Sequence, residues 1–150
     1  MRKAPTDTSP RSPSGLEYLS TRDCETLLAS ATTVGRLAFR AREGLQLLPV
    51  NFVYRNGCVY LKTSPDSVLA ELADGSDEVV FEIDHADESK HLGWSVVLTG
   101  KARQIEDLDV DLSPGGPRPW ASGPRELLIE VTPNSITGRR IRTPRQRPGF

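Results

Sequence analysis

The chain changes its hydrophobic rhythm near residue 33. Before that point Cys24, Leu27, Leu28 and Ala31 recur at helical spacing, which turns one face of a helix toward a core. Ser20 is a good N-cap and Asp23 stands three residues on, a short version of the capping box. The pattern predicts a helix from about Thr21 to Ala31. After Thr33 the period becomes that of strands. Val34 to Arg40 reads as one strand, turned at Arg42-Glu43-Gly44, and Leu45 to Arg55 as the next. Asn56-Gly57 is the strongest hairpin signal in the chain, because a type I′ turn needs positive φ at both positions. Cys58 to Thr63 is the returning strand. Ser64-Pro65-Asp66-Ser67 opens a short helix through Ala73, ended by Asp74-Gly75. Glu78 to His85 is a strand with Val79, Phe81 and Ile83 on one face, and Ala86 to Gly93 a polar loop. Trp94 to Ile105 is a long strand. Leu108 to Gly123 is a Pro- and Gly-rich surface excursion. Arg125 to Thr132 is a strand, and Ser135 to Ile141 a further short one.

This order is not the alternation of a doubly wound parallel sheet. It predicts an α+β domain, mainly β, and a closed or nearly closed antiparallel barrel, since closure removes exposed edges. Residues 1–15 are rich in Pro, Ser, Thr and Arg and offer no apolar face to offset the entropy of ordering. They read as a flexible tail, residues 16–141 as the domain, and residues 142–150 as a basic C-terminal tail.

Composition narrows the function classes. The chain has 150 residues, enough for one domain with its own core. Its net charge of −1 supplies no global field for nucleic acid or an acidic membrane. The two cysteines, Cys24 and Cys58, lack metal or redox spacing and read as buried free thiols. No apolar stretch approaches the ~18 residues of a membrane span, and no signal-peptide pattern opens the chain. A cytoplasmic protein is expected.

Several segments together resemble the pyridoxamine 5′-phosphate oxidase-like family. They are Leu19-Ser20…Cys24…Leu27-Leu28, Val34-Gly35-Arg36-Leu37, Leu48-Pro49-Val50-Asn51-Phe52 and Leu61-Lys62-Thr63. Further on come Val80-Phe81-Glu82-Ile83-Asp84, Gly93-Trp94-Ser95-Val96, Gly100-Lys101-Ala102 and Ile136-Thr137-Gly138-Arg139-Arg140. No one motif is specific; their order and spacing carry the likeness. The resemblance implies an antiparallel six-stranded split β-barrel with two or three short helices. It also implies a homodimer that holds FMN, the phosphate against one subunit and the ring system in the groove between subunits. Related split barrels use the deazaflavin F420, and haem is a further alternative.

An FMN site needs cations and hydroxyls for the phosphate and a flat apolar wall for the ring. Under the resemblance, Lys62, Thr63 and Ser67 serve the phosphate, at a helix N-terminus that favours anions. Pro49, Val50 and Asn51 form the ring wall; Pro49 lacks an N–H and suits an edge or a bulge. Arg36 reaches either an acid of the fold or the ligand. Trp94 and Ser95 begin the strand that nears the flavin. The family pattern carries a lysine just after Ser67, where this chain has Val68; a missing cation weakens a phosphate site by about 1.5–3 kcal/mol.

The remaining clusters carry less. His85 and His91 among Glu82, Asp84, Asp87 and Glu88 match no zinc spacing and read as a solvated loop. No GxSxG elbow is present, and no catalytic residue is assigned. Five arginines and no acid follow from position 139 to the end; without interleaved aromatics they read as a solvated tail, with Arg139 and Arg140 near the dimer partner. The expected function is a flavin-dependent oxidoreductase acting on a small-molecule substrate or electron donor, with a non-enzymatic flavin- or haem-binding barrel as the alternative. Deleting Met1–Gly15 is expected to change unfolding stability by less than about 0.5 kcal/mol, measured by urea denaturation of both forms.

Overall fold

The computed structural model describes residues 15–31, 34–106 and 126–142. Most of the N-terminal segment, the 108–123 excursion and the C-terminal residues from 143 lie outside the described residues. Eight strands and one α-helix are present among them. They are β1 (Leu16–Leu19), α1 (Thr21–Ser30), β2 (Gly35–Ala41), β3 (Gly44–Val50), β4 (Val53–Arg55), β5 (Cys58–Thr63), β6 (Ser76–Asp87), β7 (Leu92–Ile105) and β8 (Leu127–Ile141). A 3₁₀-helix covers Val68–Asp74, and a shorter one Glu88–Lys90.

All pairings are antiparallel. The spatial order is β3-β2-β6-β7-β8-β5-β4, with β1 added to the far part of β8. The sheet is not closed, as a split barrel requires. Its two outermost strands, β3 and β4, are consecutive in the chain and are joined by Asn51 and Phe52 alone. The split is therefore bridged covalently at these two residues. This break also divides the expected Leu45–Arg55 strand. With β1, it accounts for the two strands beyond six.

Strand alternation fixes which side chains meet. Leu37 and Phe39 on β2, Val79, Phe81 and Ile83 on β6, and Val96 and Leu98 on β7 all point inward and are almost wholly buried. Phe52 enters from the seam and meets Phe81 edge-on, ring centroids 4.8 Å apart. α1 covers one end. Ser20 caps it, accepting from the Asp23 amide at 3.1 Å, and Cys24 and Leu28 are its buried face. Asn56 and Gly57 both have positive φ, as the hairpin reading required.

The two expected C-terminal strands are one strand. β8 pairs with β7 along its length, with β5 through Leu127–Val131 and with β1 through Gly138–Ile141. Between Thr99↔Ser135 and Gly100↔Pro133 the register slips, leaving Asn134 as a bulge residue. The bulge bends β8 without ending it. The expected loop at 86–93 is also shorter: β6 and β7 pair out to Asp87↔Leu92, and His91 takes the left-handed conformation. Cys58 departs from expectation too, being half-buried with its Sγ 3.9 Å from the Thr132 hydroxyl. Among the described residues no helix is long and apolar enough to cross a membrane. The Gly15 carbonyl accepts from the Arg142 amide at 3.1 Å, so a clean N-terminal deletion stops at residue 14.

Gly138 is where α1 seats on β8. A Cβ there meets the Cys24 sulfur and the Leu19 side chain. Gly138→Ala is expected to cost about 1–3 kcal/mol as overpacking. Adding Cys24→Ala to it should recover part of that loss. A urea-denaturation double-mutant cycle checks this; strict additivity of the two changes would refute the contact.

Candidate functional site

The sheet's outer face gathers part of the expected site. On β2 and β3, Arg36 lies opposite Pro49, and on β6 it lies opposite Glu82. One turn of the pleat further, Asp84, Ser95, Arg139 and Tyr18 form the next row on the same face. Arg36 donates from one terminal nitrogen to Glu82 Oε2 at 2.7 Å and to Asp84 Oδ1 at 3.2 Å. Those two hydrogen bonds, Glu82's first, push the guanidinium's pKa above its ordinary value. Pro49 sits on an edge strand, where its missing N–H leaves no ladder incomplete. Leu45 and Leu47 stand beside it, 72% and 66% exposed, so this edge presents an uncovered apolar strip.

Val50 and Trp94 turn the other way. Val50 is buried. Trp94 has the inward parity of Val96 and packs against the core. Trp94 and Ser95 are adjacent in sequence yet stand on opposite faces of the sheet. The sequence reading joined them in one site; alternation separates them.

The phosphate residues lie elsewhere on the barrel. Lys62, on β5, is four strands from Arg36 along the sheet, about 19 Å at the usual strand spacing. The seam shortens the route. The β4–β5 pairing ends at Val53↔Tyr60, so Asn51, two residues before Val53, and Lys62, two residues after Tyr60, lie beyond the same end of that pairing. Lys62 pairs with Glu126 at 3.8 Å. Thr63 follows the inward parity of Val59 and Leu61 and is 5% exposed, so its hydroxyl does not share Lys62's face. The helix after Ser67 is 3₁₀ rather than α, with poorer hydrogen-bond geometry. Four of its entry amides are in use. Asp66 donates to the Ser64 hydroxyl and Leu69 to the Ser67 hydroxyl; Ser67 and Ala70 donate to the carbonyls of Ser64 and Ser67. Val68, where the resemblance implied a lysine, is half-buried against the core. Helical spacing and turn residues identified the segment, but not how fully it satisfies itself.

Among the described residues, no three His, Cys, Asp or Glu side chains gather as a metal site. Sequence reasoning missed the cavity beside Trp94, lined also by His85, Arg140 and Arg142. The strand-to-strand continuation through Asp87 and Leu92 creates it, and the 86–93 segment had read as a loop.

Comparison with known proteins bears on this arrangement. The family model described as pyridoxamine 5′-phosphate oxidase matches residues 20–140. The chain belongs to that family. The uncharacterized protein Rv0080 of Mycobacterium tuberculosis is 29% identical over 138 residues, covering 89% of this chain and 90% of its own. The FAD binding protein from Mycobacterium smegmatis is 32% identical, with a TM-score of 0.69 over 83% of this chain and 99% of its own. The FAD and heme binding protein of the same organism, at 14% identity and a TM-score of 0.64, covers 88% of this chain and 76% of its own. That last likeness concerns the fold alone.

The Arg36 cluster is solvent-facing, with the Arg36 side chain 45% exposed. Arg36→Gln is therefore expected to lower the melting temperature only slightly. The difference should shrink in molar salt. Thermal melts of both forms at low and high salt check this; a large drop in melting temperature that salt does not reduce would contradict the screened geometry.

Proposed function

We propose that this member of the family binds a flavin nucleotide across the split of its barrel and acts as an oxidoreductase. The observation that carries the reading is its 32% identity with an FAD-binding protein whose chain it matches almost end to end. The isoalloxazine supplies the electron transfer when bound. Pro49 and Asn51 at the open β3 edge line the ring, with Lys62 beside the phosphate. The apolar strip of Leu45 and Leu47 is covered by a second copy of the chain, making a homodimer whose partner face encloses the ring. The reading places the protein in the cytoplasm, with a small molecule as substrate or electron donor.

The phosphate segment favours FAD over FMN. A terminal phosphate carries up to two charges and calls for more than one cation. Lys62 is the one cation of this segment, shared with Glu126, and Val68 is engaged in packing. The pyrophosphate of FAD carries one charge on each phosphorus, and its adenosine adds contact area. A single lysine suits it better.

Titration of flavin fluorescence with the full-length protein tests this. FAD is expected to bind more tightly than FMN. Lys62→Ala should weaken both at least about tenfold, the loss of one charge-assisted hydrogen bond. Val68→Lys should tighten FMN and narrow the preference, since a long side chain can lay its stem on the core and keep its charge in water. A purified protein that shows a Soret band, or that takes up neither flavin, would overturn the proposal. F420 uptake without flavin binding would replace the cofactor and keep the barrel's role.

A further inference from the structure

The end of the sheet beyond the barrel core carries a second concave feature. His85, Trp94 and Arg140 lie level across β6, β7 and β8. Together with Leu92, Ile141 and Arg142 they line a cavity of about 420 Å³, within the range of small-molecule sites. The Trp94 and His85 rings are tilted by 34° with centroids 6.3 Å apart. Leu92 and Ile141 are 39% and 52% exposed, so the rim is apolar.

The charges are uneven. Arg140, Arg142 and Lys90 line the cavity against one carboxylate, Asp87. Lys90 and Asp87 pair at 3.6 Å, and Arg142 pairs with Glu17 at 3.5 Å. Arg140 is half-buried. Among the described residues its guanidinium has no acid or acceptor partner. A planar cationic fork thus stands next to an indole ring in an apolar trough.

We propose that this trough binds a small planar organic anion, an aromatic ring bearing a carboxylate. The ring lies against Trp94, which offers a large flat apolar surface. The carboxylate takes the two parallel N–H donors of Arg140, the geometry that guanidinium matches and ammonium does not. The site is separate from the flavin reading, because Trp94 faces away from the Arg36, Pro49 and Ser95 side of the sheet. It holds whether or not the chain takes flavin.

Isothermal titration of the full chain with 2-naphthoate tests the proposal, with 2-naphthamide and acetate as controls. Saturable binding of one naphthoate per chain is expected, with the amide and acetate at least about tenfold weaker. Arg140→Gln should lose naphthoate affinity by a similar factor and leave FAD affinity unchanged. Trp94→Leu should also weaken naphthoate; if that variant does not fold, Arg140→Gln decides alone. Absence of saturable binding at millimolar naphthoate overturns the inference. So does equal binding of the amide, or undiminished binding by Arg140→Gln. A loss of FAD affinity in Arg140→Gln overturns it too, by making the trough part of the flavin site.

Discussion

At Gly100 the backbones of β7 and β8 approach so closely that a side chain has no room: a Cβ there meets the Thr132 carbonyl and the Pro133 Cα. The register of β7 and β8 slips beside that contact. The neighbouring bulge at Asn134 bends β8, so that its first part faces β5 and its last part faces β1. A straight β8 would carry one neighbour along that whole edge. The bend instead sends β5, and with it β4, around toward β3. The open seam at Asn51-Phe52 is the geometric remainder of that turn.

The seam leaves the barrel with two edges. Two terminal strands of a sheet expose unpaired backbone groups, a hazard unless something covers them. Here Phe52 fills the inner side against Phe81, and the outer side is left with the Leu45–Leu47 strip and Pro49. A flat cofactor and a second chain are the kinds of cover that such an edge accepts. The same alternation that buries Val50 and Trp94 leaves Arg36 and Ser95 outside, so the two faces carry different chemistry.

The phosphate segment shows how local order competes with ligand binding. Ser64 and Ser67 satisfy the turn's own amides, which stabilises the turn and leaves fewer donors for an anion. Val68 extends the core.

Hydrophobic period and turn residues alone determined the α1 face, the inward row of Val79, Phe81 and Ile83, the Asn56-Gly57 hairpin and the mainly antiparallel β class. These are local properties: 3.6- and 2-residue periods and positive φ are written within a few residues of one another. The order of motifs added the family. Tertiary structure decided the rest. Whether 133–134 ends a strand or bends it depends on Gly100, some 33 positions away in the chain. Whether Arg36 is spent on acids depends on Glu82 and Asp84 arriving beside it. The face on which Trp94 stands followed from its parity with Val96, but its cavity required Arg140 from β8. Such contacts join residues far apart in the chain, and no local pattern encodes the distance that folding removes.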